Sequence, residues 1–464
     1  MDADARPRLA DVHCEAGTLG QYVLVASERP FWATVTASGL AIAQLCDGCR
    51  TVREIAGIAA ARLPSLSSLP AAQALFRVLA FLEDLARHGL VHTPGAPADR
   101  WAWAESVPLA AVFVEITDQC NLACKHCYLG KRLGRGAGLD TPSLKTALLG
   151  FRALGVESVV YSGGEPLLRR DWQELVCWGA TVGFEGTLLT NGTLVTPEVV
   201  SVLERVGLAV QVSLDAPNAG VHDRVRGLGA FDDALYGIRL LLESRLRSRV
   251  SLSCTVSALN ATLLPALCDI AVDLGLPRMG FGIVQRAGRA ETQWDELGLC
   301  LQEQIRVGEM LESLKAGYGQ RLQIAAPGCV AVGDGLRRPG TVRGCPVGST
   351  PAVDADGHVF GCQLFIDTPH AIGDLRCQSP AEIMEGEPLK RLREAIAARS
   401  TTVPSCAPCV WRSVCQGGCA ARGVRNCGMS LNDPDPLCEG YRYAFRRASR
   451  AFPVEAEQQS ASRG

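Results

Sequence analysis

The chain has 464 residues, of which 47% are hydrophobic and 20% charged, and its formal net charge is −2. This length exceeds one ordinary core and predicts two to four compact units. The balanced charge gives no reason to expect nucleic acid as a partner, because binding to phosphates depends on clustered Lys and Arg. The apolar runs are too short to span a membrane, and the N-terminus lacks a secretory pattern. We therefore expect a cytoplasmic protein with neither nucleic acid nor membrane as partner.

Twenty cysteines are the unusual feature of the composition. The cytosol keeps thiols reduced, and the chain is not a small secreted scaffold, so a disulfide framework is not expected. Metal ligation is the better interpretation. Peptides or small molecules are the expected partners.

Residues 1–95 predict a small α+β domain with a winged-helix-like shape. Strands are expected at Tyr22–Val25 and Trp32–Thr36, followed by three helices. Thr51 with Glu54 three residues later forms a capping box, and residues 71–89 have the apolar spacing of an amphipathic helix ended by a glycine. A winged helix could bind DNA, but the helix from Thr51 carries only two basic residues, too few to read a DNA groove.

Residues 92–99 are rich in Pro, Gly and Ala, which predicts a linker over residues 96–108. Beyond it, six short apolar runs alternate with helical stretches, and one helix is expected to begin with Thr141 as N-cap and Pro142 in its first turn. The fold class is therefore α/β, with a partial (β/α)6 barrel of the TIM type over residues 109–320. The six expected strands are Ala111–Ile116, Ser158–Tyr161, Gly186–Leu189, Leu208–Ser213, Val250–Val256 and Met279–Val284.

After about residue 320 the helical periodicity fades, and Gly, Pro and Cys become frequent. We expect ligands, rather than a large apolar core, to stabilise a cysteine-rich domain over residues 321–445. Residues 446–464 are expected to be a flexible tail.

Three cysteines, Cys120, Cys124 and Cys127, follow directly on the first barrel strand, at the end where parallel α/β sheets place their active sites. Three thiolates on a tight loop can bind three irons of a cubane [4Fe-4S] cluster and leave the fourth iron open to a chelating ligand. A zinc site completed by His126 is the alternative.

Polar groups follow the next strands and collect at the same rim. After the second strand come Gly163, Gly164, Glu165 and Pro166, where two glycines let the backbone approach a ligand and Glu165 offers a carboxylate to a ligand ammonium group. A structural zinc loop requires no such partner. The third strand is followed by Asn191, and the fourth ends in Ser213, Leu214 and Asp215.

The cysteine triplet followed by Gly-Gly-Glu-Pro strongly resembles the radical S-adenosylmethionine (radical SAM) superfamily, from about residue 109 to residue 320. Residues 213–215 and 222–227 resemble its peptide-modifying members. The resemblance implies that the three cysteines hold a [4Fe-4S] cluster, whose open iron binds SAM and whose electron cleaves it to a hydrogen-abstracting 5′-deoxyadenosyl radical. It also implies that residues 163–166 hold the methionyl end of SAM and that Ser213 and Asp215 line the ribose side. Asn191 and Gln285 are either SAM contacts or ordinary polar residues at strand ends. Candidate bases, which the sequence does not rank, are Glu115, Asp118 and Asp215.

A second field of seven cysteines falls one short of two four-thiolate clusters. The seven are Cys345, Cys362, Cys406, Cys409, Cys415, Cys419 and Cys438, and the spare candidates are Cys329, Cys377 and Cys427. Residues 406–419 alone could also form a zinc knuckle. The field resembles the SPASM extension of radical SAM enzymes, which carries two auxiliary iron-sulfur clusters. That resemblance implies one cluster on Cys345, Cys362 and Cys419, with Cys329 as fourth ligand or an open position, and another on the remaining four. Gln363 stands where sulfatase-maturing relatives carry an aspartate, a departure that argues against sulfatase maturation.

Residues 45–55 resemble the peptide-chaperone family of pyrroloquinoline quinone biosynthesis, the RiPP recognition elements. This resemblance implies that the domain binds the leader of a precursor peptide as an added strand. Cys46 and Cys49 are interpreted as part of a helix-ending turn rather than a metal site. The leading hypothesis is a maturase of ribosomally made peptides, supplied with electrons by a donor such as flavodoxin or ferredoxin. Alternatives are a radical enzyme acting on a protein or a small cofactor precursor such as a tetrapyrrole, and a non-enzymatic iron-sulfur electron carrier or SAM-binding regulator.

Overall fold

The computed structural model describes residues 1–16, 20–93, 108–130, 134, 138–326 and 345–450, without the side chains of residues 427 and 448–450. Nearly all of the predicted linker, the candidate ligand Cys329 and the chain beyond residue 450 lie outside these ranges. No described helix combines the length and apolar character needed to cross a membrane.

The N-terminal region is an α+β unit, as predicted, with three strands more than the sequence indicated. Its strands are β1 (Arg8–Leu9), β2 (Val12–Ala16), β3 (Gln21–Ala26), β4 (Trp32–Thr36) and β5 (Val91–His92), and its helices are α1 (Ala37–Ala43), α2 (Val52–Arg62), α3 (Pro64–Ser67) and α4 (Ala71–Arg87). Strands β2, β3 and β4 form an antiparallel sheet, and β1 pairs with β5. Thr51 and Glu54 form the predicted capping box. The apolar face of α4, including Val78 and Leu82, is buried in a core of this region's own.

All six predicted barrel strands are present, and their order in the sheet follows their order in the chain. The strands are β6 (Ala111–Glu115), β7 (Ser158–Ser162), β8 (Glu185–Thr190), β9 (Ala209–Ser213), β10 (Val250–Val256) and β11 (Arg278–Ile283). The helices are α5 (Thr141–Ala153), α6 (Trp172–Thr181), α7 (Pro197–Val206), α8 (Ala219–Arg226), α9 (Ala230–Glu243), α10 (Leu264–Asp273), α11 (Trp294–Leu297) and α12 (Leu301–Tyr318). Parallel neighbours in chain order are the topology of a barrel, so the predicted partial-barrel fold class is confirmed.

One boundary within the barrel differs from the prediction. The N-cap of α5 is Asp140, whose side chain accepts a hydrogen bond from the Ser143 backbone, and Thr141 is already the first helical residue. The Thr141 hydroxyl instead donates to Asp171. Asp is preferred over Thr at the N-cap, so the carboxylate one residue earlier in the chain takes this position.

The C-terminal region extends the barrel sheet to ten strands. A seventh parallel strand, β12 (Gln323–Ala325), flanks β11, and β13 (Ala352–Val353) pairs in parallel with β6 on the other side. Antiparallel strands β14 (His358–Phe360) and β15 (Ala371–Asp374) follow. The remaining helices are α13 (Pro380–Met384), α14 (Glu387–Ala397), α15 (Arg399–Thr402), α16 (Arg412–Cys415), α17 (Ala420–Cys427) and α18 (Cys438–Arg450).

The expectation that helical periodicity and an apolar core end near residue 320 is wrong. Helix α14 buries Leu389, Leu392 and Ile396 in a core that is continuous with the barrel. The short segments between the cysteines concealed this periodicity. Helix α18 also continues past residue 445, where the flexible tail was expected to begin. The division into domains stays a prediction.

Candidate active site and auxiliary cysteine sites

The cysteine loop after β6 is fastened to the Gly-Gly-Glu-Pro element after β7. Gly164 donates its backbone N–H to Thr117 O over 2.8 Å, and Glu165 donates to Gln119 O over 2.7 Å. A Cβ on Gly164 would lie 2.1 Å from Gln119 O, and one on Gly163, whose φ is +139°, would lie 2.3 Å from Thr117 O. Side chains at these two positions would therefore force the loops apart. The glycines are needed for the approach of the cysteine loop itself, whereas the sequence had suggested the approach of a ligand.

The far end of the cysteine loop is held by a segment that the sequence analysis did not single out. Arg289 donates its backbone N–H to Cys127 O over 3.0 Å, and a Cβ on Gly288 would lie 2.5 Å from the same oxygen. Gly288 has a φ of +60°. The signal was present as a glycine shortly after the last predicted strand, but one glycine is too common to identify such a contact.

Burial raises the pKa of the Cys120 thiol to about 11, and it also raises that of Cys124, where the charge of Arg226 opposes it. Among the described residues, no three of these thiols and His126 lie within 4.8 Å of one another. Ligands of a single tetrahedral zinc ion would be about 3.8 Å apart. In the described structure these donors are therefore not arranged as the ligands of a single zinc ion.

Asp215 ties the cysteine loop to the barrel wall. Its carboxylate is wholly buried and accepts hydrogen bonds from Arg226 Nε over 2.6 Å and the Thr255 backbone over 2.8 Å, with His126 Nε2 at 2.7 Å. Burial alone would raise the pKa of Asp215, but the charge of Arg226 and the contact with His126 outweigh it and hold the pKa well below its usual range. The carboxylate is thus engaged by Arg226 and His126, and its role as a candidate base stays a prediction. Its predicted ribose contact stays a prediction.

Glu165 ties the Gly-Gly-Glu-Pro element to the next strand of the barrel. It is fully buried and accepts hydrogen bonds from Thr190 Oγ1 and the Asn191 backbone, both over 2.8 Å, at the end of β8. Burial raises the pKa of this carboxyl to about 7. The side chain therefore braces the neighbouring strand, and its contact with a ligand ammonium group stays a prediction. Asn191 reaches the cysteine loop, since its Nδ2 donates to Asn121 Oδ1 over 2.9 Å.

The other predicted residues of the rim lie beside this network. Pro166 begins a 3-10 turn, and Ser213 is half-buried at the end of β9. Glu115 and Asp118, the two other candidate bases, are both buried.

An arginine links the cysteine loop to the auxiliary region. The guanidinium of Arg425 lies 5.6 Å from the ring of Tyr128, which directly follows Cys127, and Arg425 Nε donates to Leu364 O over 2.6 Å. The Tyr128 hydroxyl lies 3.4 Å from Glu115 Oε1. No sequence pattern predicted this contact.

The auxiliary cysteines fall into two sets. The first set is Cys345, Cys362 and Cys419; burial, together with the charges of the other two thiols, raises the pKa of Cys345 to about 12. The second set lines a single cavity of about 410 Å³ and comprises Cys406, Cys409, Cys415 and Cys438. These are the groupings that the resemblance implies, and four thiols around one cavity fit a four-thiolate cluster.

The spare cysteines do not complete the first set within the described residues. Cys377 is exposed, with its Sγ 3.6 Å from Asp374 O. Cys329 and the side chain of Cys427 lie outside the described part of the chain. The fourth ligand therefore stays open.

A buried arginine, Arg399, lies between the two sets. It is 0% exposed, and its guanidinium donates to Gly417 O over 2.8 Å, to Asp433 O over 2.9 Å and to Leu431 O. Burial lowers the pKa of Arg399, against the opposing charge of Asp435 and of thiols from both sets. A buried cation needs compensating negative charge, which Asp435 supplies and which cysteines of both sets would supply as thiolates.

The family model described as the Radical SAM superfamily matches residues 114–282. That of coenzyme PQQ synthesis protein D matches residues 21–91, and that of the iron-sulfur cluster-binding domain SPASM matches residues 345–410. The mycofactocin maturase MftC of Mycolicibacterium smegmatis is 30% identical over 73% of this chain and 85% of its own. The chain belongs to the radical SAM superfamily.

This radical SAM enzyme is also similar to a second curated protein and to a solved structure. The AdoMet-dependent heme synthase of Methanosarcina barkeri is 30% identical over 70% of this chain and 94% of its own. The crystal structure of Streptococcus suis SuiB bound to S-adenosylmethionine superposes with a TM-score of 0.59 at 16% identity, covering 93% of this chain and all of SuiB. At that identity the likeness shows the fold alone.

Membership of the radical SAM family gives the enzyme its cofactors: S-adenosylmethionine, a [4Fe-4S] cluster that binds it, and auxiliary iron-sulfur clusters in the SPASM region. The chain offers thiols for all of them in three separate groups. The assignment of individual cysteines to individual clusters stays a prediction.

Proposed function

We propose that this enzyme matures ribosomally synthesised peptides, with the N-terminal domain capturing the leader of a precursor while the barrel modifies its core. The observation that carries the proposal is the contact between the PqqD-type domain and the auxiliary region. Ser413 Oγ donates to Ala26 O over 2.7 Å, and the rings of Trp32 and Trp411 meet edge to face with centroids 6.3 Å apart. A captured peptide is therefore held beside the cysteine sites. The SuiB fold has also been solved with a precursor peptide, SuiA.

We assign Cys120, Cys124 and Cys127 as the ligands of the SAM-binding cluster. Together with SAM, that cluster supplies a 5′-deoxyadenosyl radical that abstracts hydrogen from the substrate. Residues 163–166 hold the cysteine loop by the backbone bonds described above and, in this proposal, contact the methionyl end of SAM. Asn191 and Asp215 orient the loop from the ends of β8 and β9, and Ser213 stands on the ribose side.

The auxiliary cysteine sets would hold clusters, and such clusters could accept the electron released when the substrate is oxidised. We assign Cys406, Cys409, Cys415 and Cys438 to one cluster. We assign Cys345, Cys362 and Cys419 to the other, with Cys329 or an open position as its fourth ligand. A flavodoxin or ferredoxin would reduce the SAM-binding cluster.

A second candidate is a small tetrapyrrole substrate, favoured by the similarity to relatives named AdoMet-dependent heme synthase and Fe-coproporphyrin III synthase. A tetrapyrrole has no leader and gives no role to a PqqD-type domain. The two functions therefore differ in whether the N-terminal domain is needed for substrate binding.

The test is anaerobic reconstitution with SAM, a reductant and a peptide encoded by a short reading frame beside this gene, followed by mass spectrometry. We expect loss of a hydrogen pair from the peptide, and loss of activity when its leader is removed. Iron coproporphyrin serves as the competing substrate. Turnover of the porphyrin and none of the peptide would overturn the proposal in favour of the second candidate.

A further inference from the structure

A cavity of about 380 Å³ lies where the carboxyl end of the barrel meets the auxiliary region. Part of its lining is the segment from Ile283, at the end of β11, to Arg286, and another part belongs to α17 and to residues Pro436 and Leu437. Barrel enzymes bind substrates at the carboxyl ends of their strands. The cavity is therefore on the side from which a substrate approaches the cysteine loop.

Three arginines line the cavity, and one of them is neutralised. Arg422 forms an ion pair with Asp435 over 2.7 Å, and its Nη2 also contacts the Tyr441 hydroxyl over 2.5 Å. Asp435 is almost wholly buried beneath it. Arg422 therefore contributes little net charge to the cavity.

The other two arginines, Arg286 and Arg425, have no carboxylate within ion-pair distance among the described residues. Arg286 is exposed, and its guanidinium lies 5.9 Å from the ring of Trp294. Arg425 uses two donors on backbone carbonyls, those of Leu364 and Ile366. Burial lowers the pKa of Arg425 in spite of the opposing negative charges nearby. The cavity is thus bordered by two guanidinium groups, neither of which forms an ion pair with a described carboxylate.

The cavity also holds an acceptor without a donor. Gln304 Oε1 is buried and has no hydrogen-bond partner in the described part of the chain, while Gln304 Nε2 donates to Leu299 O over 2.9 Å. A buried acceptor left unpaired is costly, so a ligand with an N–H group would satisfy it. The two arginines beside the Gln304 oxygen therefore suit a ligand in which an anionic group lies next to an amide N–H.

We propose that this cavity binds a carboxylate of the substrate between Arg286 and Arg425, with a neighbouring peptide N–H donating to Gln304. Guanidinium groups bind carboxylates through paired, charge-assisted hydrogen bonds. Peptides carry this group at the C-terminus and on Asp and Glu side chains, so the identification of the substrate as a peptide rests on the proposed function. Arg425 also contacts the ring of Tyr128, so the bound carboxylate would lie next to the cysteine loop.

Saturation-transfer NMR on the full, anaerobically purified chain tests the site without turnover. The probes are N-acetyl-phenylalanine, its C-terminal amide, and N-acetyl-aspartic acid α-amide. We expect at least one of the two acids to bind and the neutral amide not to. Arg286→Gln should weaken binding about tenfold, as expected for a lost charge-assisted hydrogen bond. Tighter binding of N-acetyl-phenylalanine would indicate that the cavity binds the C-terminal carboxylate of a peptide. Tighter binding of N-acetyl-aspartic acid α-amide would indicate that it binds the carboxylate of a side chain.

The matched control is Arg321→Gln, since Arg321 is also an exposed arginine on an aromatic ring, 5.4 Å from that of Tyr318, but lies away from the cavity. It should bind like the wild type. Arg425→Gln is the second variant, but Arg425 also donates to two backbone carbonyls and its loss could disturb the fold. The decisive variant is therefore Arg286→Gln, because Arg286 is exposed and its side chain makes no hydrogen bond to the described residues. Equal binding of acid and amide, or an unchanged Arg286→Gln variant, would overturn the inference. A chain that binds acids but modifies no peptide would refute only the proposed function.

Discussion

The barrel cysteine loop and the C-terminal cysteine field both gather thiols, but by different means. The loop places its three cysteines within residues 120–127 and is held by backbone bonds to the ends of neighbouring strands. The field collects seven cysteines from residues 345–438, across several helices and around the buried Arg399. A local site can be recognised from spacing alone, whereas a dispersed site depends on tertiary packing.

Removing the loop thiols should have the largest effect. We expect the triple variant of Cys120, Cys124 and Cys127 to Ala to lose SAM cleavage down to background, because no described cysteine outside the loop can replace them. Its iron content should fall by about four per chain. The measurements are 5′-deoxyadenosine by chromatography and iron by mass spectrometry. Cys177→Ala, a half-buried cysteine outside all three groups, is the control. Residual cleavage in the triple variant would refute the ligand assignment.

Cys415→Ala tests whether the C-terminal cysteine field and the barrel cysteine loop function independently. Cys415→Ala should lose auxiliary iron and peptide modification but keep SAM cleavage within about twofold of wild type, since sites without shared ligands behave additively. Electron paramagnetic resonance of the reduced protein would show which signal disappears. If SAM cleavage is lost together with the auxiliary signal, the separation of the two regions is wrong.

The contrast also explains what the sequence could predict. Six strands and the cysteine triplet were predictable because alternation and spacing are local properties. The orientation of Glu165 was not, since its partners Thr190 and Asn191 come from the next strand. Arg399 and Arg425 carried no signal at all: each is one arginine among many, and its role depends on carbonyls and thiols that only the folded chain brings together.

Asp215→Asn tests how strongly the barrel wall holds the loop. The change leaves Arg226 buried beside a neutral amide, and breaking such a pair costs about 3–5 kcal/mol in the free energy of unfolding. The partners hold the pKa of Asp215 below its usual 3.8, so its contribution to stability is present above about pH 4 and is lost as the pH falls towards the folded-state pKa. Denaturant unfolding at neutral and acid pH measures both effects.

The matched control for that variant is Asp233→Asn, an exposed carboxylate in the first turn of α9. It should cost less than about 1 kcal/mol, the size of a helix-dipole interaction. Equal destabilisation by the two changes would mean that Asp215 does not fasten the cysteine loop.

Arg399→Gln tests whether one buried positive charge acts on both auxiliary cysteine sets. Removing a buried positive charge disfavours the more negative, reduced form of a nearby cluster, so the midpoint potentials of both auxiliary sites should fall by tens of millivolts. For one electron, about 59 mV is a tenfold change in the equilibrium constant. Redox titration followed by electron paramagnetic resonance measures the shift, and Arg399→Lys should restore most of it.

The control for the charge effect is Arg391→Gln, an exposed arginine on α14. It should leave both potentials unchanged. A shift at only one auxiliary site would place Arg399 with that set alone, and unchanged potentials in a variant with full iron content would contradict its role between them.

The smallest effect should come from the contact that joins the N-terminal domain to the cysteine field. Ser413→Ala leaves Ala26 O buried without its donor, which costs about 1–3 kcal/mol. Hydrogen exchange in β3 and β4 should quicken, and the affinity for a leader peptide should fall, while iron content and SAM cleavage stay at wild-type levels. Thr402→Ala, whose hydroxyl donates only to Ala398 O within its own helical turn, is the control. If Ser413→Ala instead lowers SAM cleavage, the dispersed field and the local loop are coupled through this contact, because Ser413 itself lies on α16, outside the barrel strands and the cysteine loop.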